Sequence, residues 1–338
     1  MASTKGTVIR TIISFSLTAV FLYLAFRNTN LADLWNSLKG ANVWWTIALV
    51  PIGLFSHWVR AWRWQYLVAP IKKNASLRNL FSVVMIGYMV NNVLPRFGEF
   101  VRAYAIGRQE GISKSAALGT VVVERILDTF VFLLMLCSVL FLYPNALDSF
   151  IDRGESLRMY FLAGSVGLLL LSALFFFKGE ALFGLMKLFK PIVPKRYSGR
   201  IDRIVESFLA GIGAGATRET LMTVVLLSLF LYFVYAVALY AAFFTLEQIK
   251  AFHFDFGVAV VLLTITTVAY VLPAPGALGT YHSFLTFSLV RIFRVDQTSA
   301  LSFSIITHEV SYLTITAVGL WFFMKDHLRM AEITAQSA

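Results

Sequence analysis

Charge is scarce in this chain: 14% of its 338 residues are Asp, Glu, Lys or Arg, where a soluble domain carries about a quarter. So few charges cannot cover the outside of a soluble fold of this size. That excludes a soluble enzyme, a nucleic-acid binder and a disordered chain as the main description. Cysteine is nearly absent. The single Cys137 lies inside an apolar run, so neither an intrachain disulfide nor a cysteine metal site is available. No G-x-S-x-G, Walker A or dinucleotide-binding glycine pattern accompanies a strand-like segment. The chain is filled with apolar residues instead, at 58% before glycine is counted. Thr11 to Phe26 and Leu221 to Leu246 are near-continuous runs, and runs of roughly 18–25 such residues are membrane spans.

Bilayer thickness and helical rise set candidate spans, or parts of spans, at about 8–26, 43–62, 79–94, 119–143, 158–177, 220–246, 256–272, 276–290 and 300–324. The first run follows Lys5 and Arg10 as a signal peptide would. Its length, the missing small-residue cleavage site and the spans after it mark it as a retained helix. The net charge of +11 follows from lysine and arginine kept in cytoplasmic loops, with no nucleic-acid partner implied. Arg60, Arg63, Lys72, Lys73 and Arg78 place the second connection in the cytoplasm, and the segment around Asp148, Asp152 and Glu155 outside. The amino terminus is then cytoplasmic. The basic amphipathic segment 178–218 reads as a surface helix on anionic lipid. The dense group His57, Trp58, Arg60, Trp62, Arg63 and Trp64 reads as an interfacial anchor belt.

Arg96, Arg102, Arg108 and Lys114 resist a simple alternation of spans, because a full crossing at 79–94 would put them outside. The conflict disappears if residues 79–118 enter from the cytoplasm, turn near Pro95 and return. The motif then recurs: Val93-Leu94-Pro95-Arg96-Phe97-Gly98 is echoed by Val271-Leu272-Pro273-Ala274-Pro275-Gly276, and Glu124 and Glu309 follow the two at similar distances. These features predict an all-α polytopic membrane protein with two inverted-topology halves, 1–157 and 158–338. Each half holds about three spans and one Pro/Gly-broken re-entrant hairpin. Arg291 and Arg294 fit this scheme poorly, since they would lie outside.

The candidate site residues lie at these interruptions. Asn92, Pro95, Arg96, Gly98, Glu99 and Arg102 combine a helix breaker, a glycine that permits the turn, and guanidinium forks suited to phosphate. Glu124, Arg125 and Asp128 put three ionisable groups near the start of one span, with Arg125 and Asp128 placed to pair at i, i+3 and either carboxylate placed to carry a proton. Pro273, Gly276 and Gly279 break the second hairpin, followed by Tyr281 and His282, with His308 and Glu309 on the last span. His282 is the group best suited to titrate near neutral pH. No H-x-x-x-H or H-E-x-x-H spacing is present, so neither a metal nor another cofactor is expected.

This order of motifs resembles the flippase-like membrane domain of lysylphosphatidylglycerol synthase, over nearly the whole chain. The first motif here is Asn91 or Asn92, then Leu94, Pro95, Phe97, Gly98, Glu99 and Arg102, with Arg96 one place earlier than the family's usual arginine. Glu124, Arg125 and Asp128 match the second motif. In the late motif Ala277 replaces a common second glycine, and His282 stands where many members have glutamate. About fourteen residues follow the last span by helical length, so the synthase's aminoacyl-transferase domain is not expected. The resemblance implies movement of a phosphate-bearing lipid, anionic or polyprenyl, between leaflets of a prokaryotic inner membrane, without enzymatic activity. A membrane-embedded transferase acting on a lipid-linked substrate and a small-solute secondary transporter are the rival readings.

Overall fold

The computed structural model describes residues 4–143, 159–170 and 218–326, and every regular element among them is helical. The elements in chain order are α1 (Thr4–Phe26), α2 (Leu31–Lys39), α3 (Val43–Val68), α4 (Leu77–Val93), α5 (Gly98–Glu110) and α6 (Lys114–Leu142). They continue with α7 (Met159–Leu170), α8 (Arg218–Ala242), α9 (Glu247–Lys250), α10 (Phe256–Val271), a 3₁₀ turn (Pro275–Ala277), α11 (Thr280–Arg291) and α12 (Gln297–Lys325). The outside loop around Asp148, Asp152 and Glu155, the basic segment expected at 178–218 and the boundary expected at 157–158 lie outside the described residues, save the first residue of α8.

Side-chain caps set several starts. The Asn42 side chain accepts from the amides of Trp44 and Trp45 to open α3. Asp255 and Asp296 do the same for α10 and α12. Among the described residues, α6, α8 and α12 are long and apolar enough to cross a membrane, and α1 with α2, bent by 85°, makes a fourth candidate. That is fewer than the expected three per half. The chief shortfall is α3, whose 26 residues are long enough to cross, but whose second half carries Arg60 and Arg63. Both are buried, at 4% and 0% exposed. A buried charge counts against apolarity without exposing anything to lipid.

Two helical hairpins stand out because their arms are short. The arms hold 17 and 13 residues in α4 and α5, and 16 and 12 in α10 and α11. Each hairpin returns to where it began. At the base of the first, the Glu110 carboxylate at the end of α5 accepts from the Ser76 amide at 3.1 Å and pairs with Lys72 at 3.0 Å. At the base of the second, the Phe254 and Phe293 rings lie 5.3 Å apart. The bases sit at opposite ends of α12. Asp326, just past its end, accepts from Ser82 and Gln109 of the first hairpin. Its start follows directly on the second hairpin, whose Val295 lies buried in the same core as Phe303.

Arms α4 and α5 pack closely because two glycines face each other. A Cβ on Gly98 would collide with the Gly87 carbonyl oxygen and lie 2.7 Å from Asn91 Oδ1. The Asn91 side chain caps α5 by accepting from the Gly98 amide at 2.7 Å. This revises the sequence reading, in which Gly98 serves the turn itself. The residue in the left-handed region is Arg96, at φ 64°, and Gly98 serves the close approach. Core packing follows the hairpins: one cluster gathers Trp64, Leu80, Met85, Ile106 and Leu127, and a second gathers Phe243, Leu246, Leu262, Leu285 and Phe303. Replacing Gly98 with Ala is expected to cost roughly 1–3 kcal/mol by overpacking. Gly53→Ala, with nothing within 4 Å of its Cβ, is expected to leave stability unchanged or raised. Thermal unfolding of the purified variants in detergent checks both.

Candidate functional site

The deepest polar feature is built on α6. Glu124 is fully buried and Asp128 nearly so, at 0% and 9% exposed, one helical turn apart. Isolated carboxylates at such depth would be very costly, so they recruit cations from three helices. Arg60 of α3 reaches Glu124 at 2.5 Å and Asp128 at 2.9 Å through the same nitrogen. Arg63, one turn on, meets Asp128 at 2.8 Å and Glu124 at 3.2 Å. Arg102 of α5 pairs with Glu124 at 2.6 Å, its guanidinium 4.2 Å from the Trp64 ring centre and its stem in the space left by Gly87. Arg125 joins at 2.9 Å to Glu124 and 3.3 Å to Asp128. Helix α8 completes the shell with Ser228 accepting from Arg63 and Tyr235 accepting from Arg60.

Four guanidinium groups therefore meet two carboxylates, and two positive charges remain. Several donors also remain. Nε of Arg60, Arg63, Arg102 and Arg125 is buried with no hydrogen-bond partner among the described residues, and so is Glu99 Oε2. Arg60, Arg125, Asp128 and Glu99 line a cavity of about 520 Å³. The Arg125 side chain is 38% exposed, whereas Arg63 and Arg102 are sealed behind the wall.

Both hairpin turns border this cavity and touch each other. Arg96 donates to the Val271 carbonyl at 2.6 Å, tying the first turn to the second. Asn92 donates to Thr316 Oγ1 at 2.8 Å on α12. Gly276, with φ 54°, lies so close to α4 and α12 that a Cβ would stand 2.6 Å from the Tyr312 ring and 3.3 Å from the Asn92 Cα. The walls between carry phenols and hydroxyls, among them Tyr88, Tyr235, Tyr270, Tyr281 and Tyr312.

The structure thus brings Asn92, Pro95, Arg96, Glu99, Arg125, Asp128, Gly276 and Tyr281 to one cavity. Gly98, Arg102, Glu124, Pro273, Gly279, His282 and Glu309 lie outside its lining. Arg102 and Glu124 stand directly behind it, in the charge network. Glu124 and Asp128 are engaged by several arginines each, which makes them anchors for cations and not free proton carriers.

Three expectations need revision. Arg60, Arg63 and Trp64 are buried in the interior and do not form an interfacial belt; only Trp58 and Trp62 keep exposed surface. The signal was present in the spacing: His57, Arg60, Arg63 and Trp64 share one helical face, while Trp58 and Trp62 share another. Second, Asp128 does not depend on Arg125, because Arg60 and Arg63 hold it as well. Third, although no metal-type spacing exists in sequence, folding brings ligand atoms of His282, His308 and Glu309 within 4.8 Å of one another.

Comparison with known proteins places the chain. A family model described as the lysylphosphatidylglycerol synthase TM region matches residues 9–319. The chain belongs to that family. It is therefore an integral membrane protein. It is similar to a UPF0104 membrane protein of Methanocaldococcus jannaschii, 40% identical over 74 residues, which is 21% of this chain and 22% of the relative. A UPF0104 membrane protein of Methanothermobacter thermautotrophicus is 34% identical over 76 residues, 22% of each chain. These matches span about a fifth of the relatives' length. No solved structure matches the chain.

In this network the carboxylates are the irreplaceable partners, since they alone offset the cations. Glu124→Gln leaves four guanidinium groups against one carboxylate. It is expected to cost about 3–5 kcal/mol and to abolish a monodisperse folded species in size-exclusion chromatography. Arg125→Ala leaves both carboxylates paired and is expected to elute and melt close to the parent. Asp128→Ala is not expected to restore stability to Arg125→Ala, because Asp128 also serves Arg60 and Arg63.

Proposed function

We propose that this protein moves a phosphate-bearing lipid between the leaflets of a prokaryotic cytoplasmic membrane. The observation that carries the reading is the uncompensated positive charge beside the cavity: four guanidinium groups against two carboxylates, with Arg60 and Arg125 in the cavity lining. Guanidinium forks match phosphate oxygens, and in a low-dielectric site such a pair is stronger than at a surface. The remaining wall mixes apolar side chains with phenols and hydroxyls, which suits an amphipathic ligand. Arg125 and Arg60 would receive the headgroup, Arg96 would hold the two turns together, and Glu124 and Asp128 would fix the guanidinium groups in place. Membership of a flippase-like family supports the same reading.

The two hairpins would be re-entrant segments of inverted halves, 1–157 and 158–338. Supporting this, their arms are short, their bases close on themselves and those bases lie at opposite ends of α12. The basic loops would put the amino terminus in the cytoplasm. Cysteines at Arg78 and Ser113, both exposed at the base of the first hairpin, are then expected to react with impermeant thiol reagent from the same face. Labelling from opposite faces would mean a full crossing and end the re-entrant reading.

Transport itself is tested in proteoliposomes carrying fluorescent anionic phospholipid or polyprenyl phosphate, scored for leaflet exchange. Arg125→Ala is expected to lose lipid movement while remaining folded, and Arg125→Lys, which keeps charge but not the planar fork, to recover part of it. Full activity in folded Arg125→Ala would remove the headgroup role.

A further inference from the structure

We propose that His308 and Glu309 form a proton-binding site whose proton holds the second hairpin turn closed against the first. The Gly276 carbonyl can only accept, so its 2.8 Å contact with His308 Nε2 puts a proton on that nitrogen. A neutral imidazole then has a bare lone pair at Nδ1, and His308 Nδ1 lies 3.0 Å from Glu309 Oε1. Two lone pairs repel. The contact requires one further proton, held as imidazolium beside carboxylate or as imidazole beside carboxylic acid.

His282 does not supply that proton. The Gly279 amide donates to His282 Nδ1 at 3.4 Å, so the ring's own proton sits on Nε2, 3.7 Å from Glu309 Oε1. The same count disfavours a metal ion among the three residues. His282 would have to accept from an amide at one nitrogen and ligate at the other, with no proton on the ring at all.

The surroundings leave the pair to itself. Both imidazoles are buried, while the Glu309 side chain is 37% exposed, which gives the proton its route. Beyond His282, whose ring centre is 4.7 Å from that of His308, the neighbouring titratable groups are phenols: Tyr281 at 5.2 Å and Tyr312 at 5.7 Å, with Tyr270 behind Tyr281. Across the cavity stand His57, Arg60 and Tyr88 from α3 and α4, Arg125 from α6 and Tyr235 from α8. On α2 and α9, Lys39 stands over Trp35, Lys250 pairs with Glu247, and Asp33 is exposed in the first turn of α2. Tyr23 of α1, which packs on α11, is exposed. Among the described residues, Glu309 makes ion pairs with His282 and His308 only.

Loss of the proton sets a lone pair against a carboxylate at hydrogen-bond distance. Turning the His308 ring relieves this repulsion and breaks its bond to Gly276; a Glu309 side chain that swung away on its own would leave the turn closed and the labelling profile below flat. Gly276 is where the second turn rests on Asn92 and Tyr312, so the turn is released at the cavity wall. The closed form binds the extra proton; its advantage is therefore present at low pH and lost as pH rises. This inference rests on the cavity and not on what the cavity carries.

The test uses the full chain with Cys137→Ser and a reporter, Ala274→Cys, at a turn residue that is 5% exposed. Maleimide labelling is followed from about pH 5 to about pH 8 and divided by the rate at the exposed control Leu31→Cys, which removes the thiol's own titration. The relative rate is expected to rise roughly fivefold or more with pH. In Glu309→Gln, whose amide donates permanently to His308 Nδ1, it is expected to stay low throughout. Leu278→Cys replaces the reporter if Ala274→Cys does not purify. A flat profile in the parent, or a rising one that survives Glu309→Gln, overturns the proposal. So does a rate that follows added zinc or chelator at fixed pH. Lipid movement does not enter this readout, so its failure is distinct from failure of the transport assay.

Discussion

Two carboxylates one turn apart in the apolar helix α6 set the terms for the rest of the structure. Glu124 and Asp128 cannot be buried without cations, and no single helix can deliver enough of them. Helix α3 therefore contributes Arg60 and Arg63, α5 contributes Arg102, and α6 contributes Arg125. Helix α8 adds the hydroxyls that receive the spare donors. The network holds these helices together more specifically than apolar packing between them would, because a shifted helix would strand a buried charge.

The first hairpin is bound into the same constraint. Arg102 reaches Glu124 only because α5 turns back against α4, and that crossing needs the missing side chains of Gly87 and Gly98. The turn in between is consequently fixed relative to the charge network, with Arg96 in a left-handed conformation and hydrogen-bonded to the second hairpin. A continuous set of contacts thus runs from the charge network through the first turn to Val271, Gly276 and His308. In a packed interior such sets move between discrete arrangements instead of deforming smoothly, which is the property the proposed transport role would need.

The excess of cations is the feature that gives the cavity a chemical preference. A network built for stability alone would balance its charges. This one carries four guanidinium groups for two carboxylates and leaves the least buried of them, Arg125, at the cavity wall. In the proposed role a phosphate bound there would offset this excess, so that binding and structural satisfaction would become the same event.

Much of this was legible in the sequence because the bilayer writes its demands locally. Span length, the scarcity of charge, the prolines at 95 and 273 and the ionisable cluster at 124–128 are all properties of short segments. They suffice for the helical membrane class, the family and the position of the two breaks. The division of roles among the arginines was not legible, since it depends on which face of a helix meets which neighbour. Arg60 and Arg63 look like an interfacial anchor beside Trp58 and Trp62; their spacing separates the two faces, but only the packing of α3 on α8 and α6 decides which face turns inward. Gly98 looks like a turn residue and proves to be a crossing point. His308 stands out in the chain only as a histidine beside Glu309 in an apolar span; its bond to the Gly276 carbonyl exists only once the second turn folds onto α12. Local sequence determined where apolar and charged matter must lie. Tertiary structure decided which charges meet, because ion pairing and donor counting are settled between segments far apart in the chain.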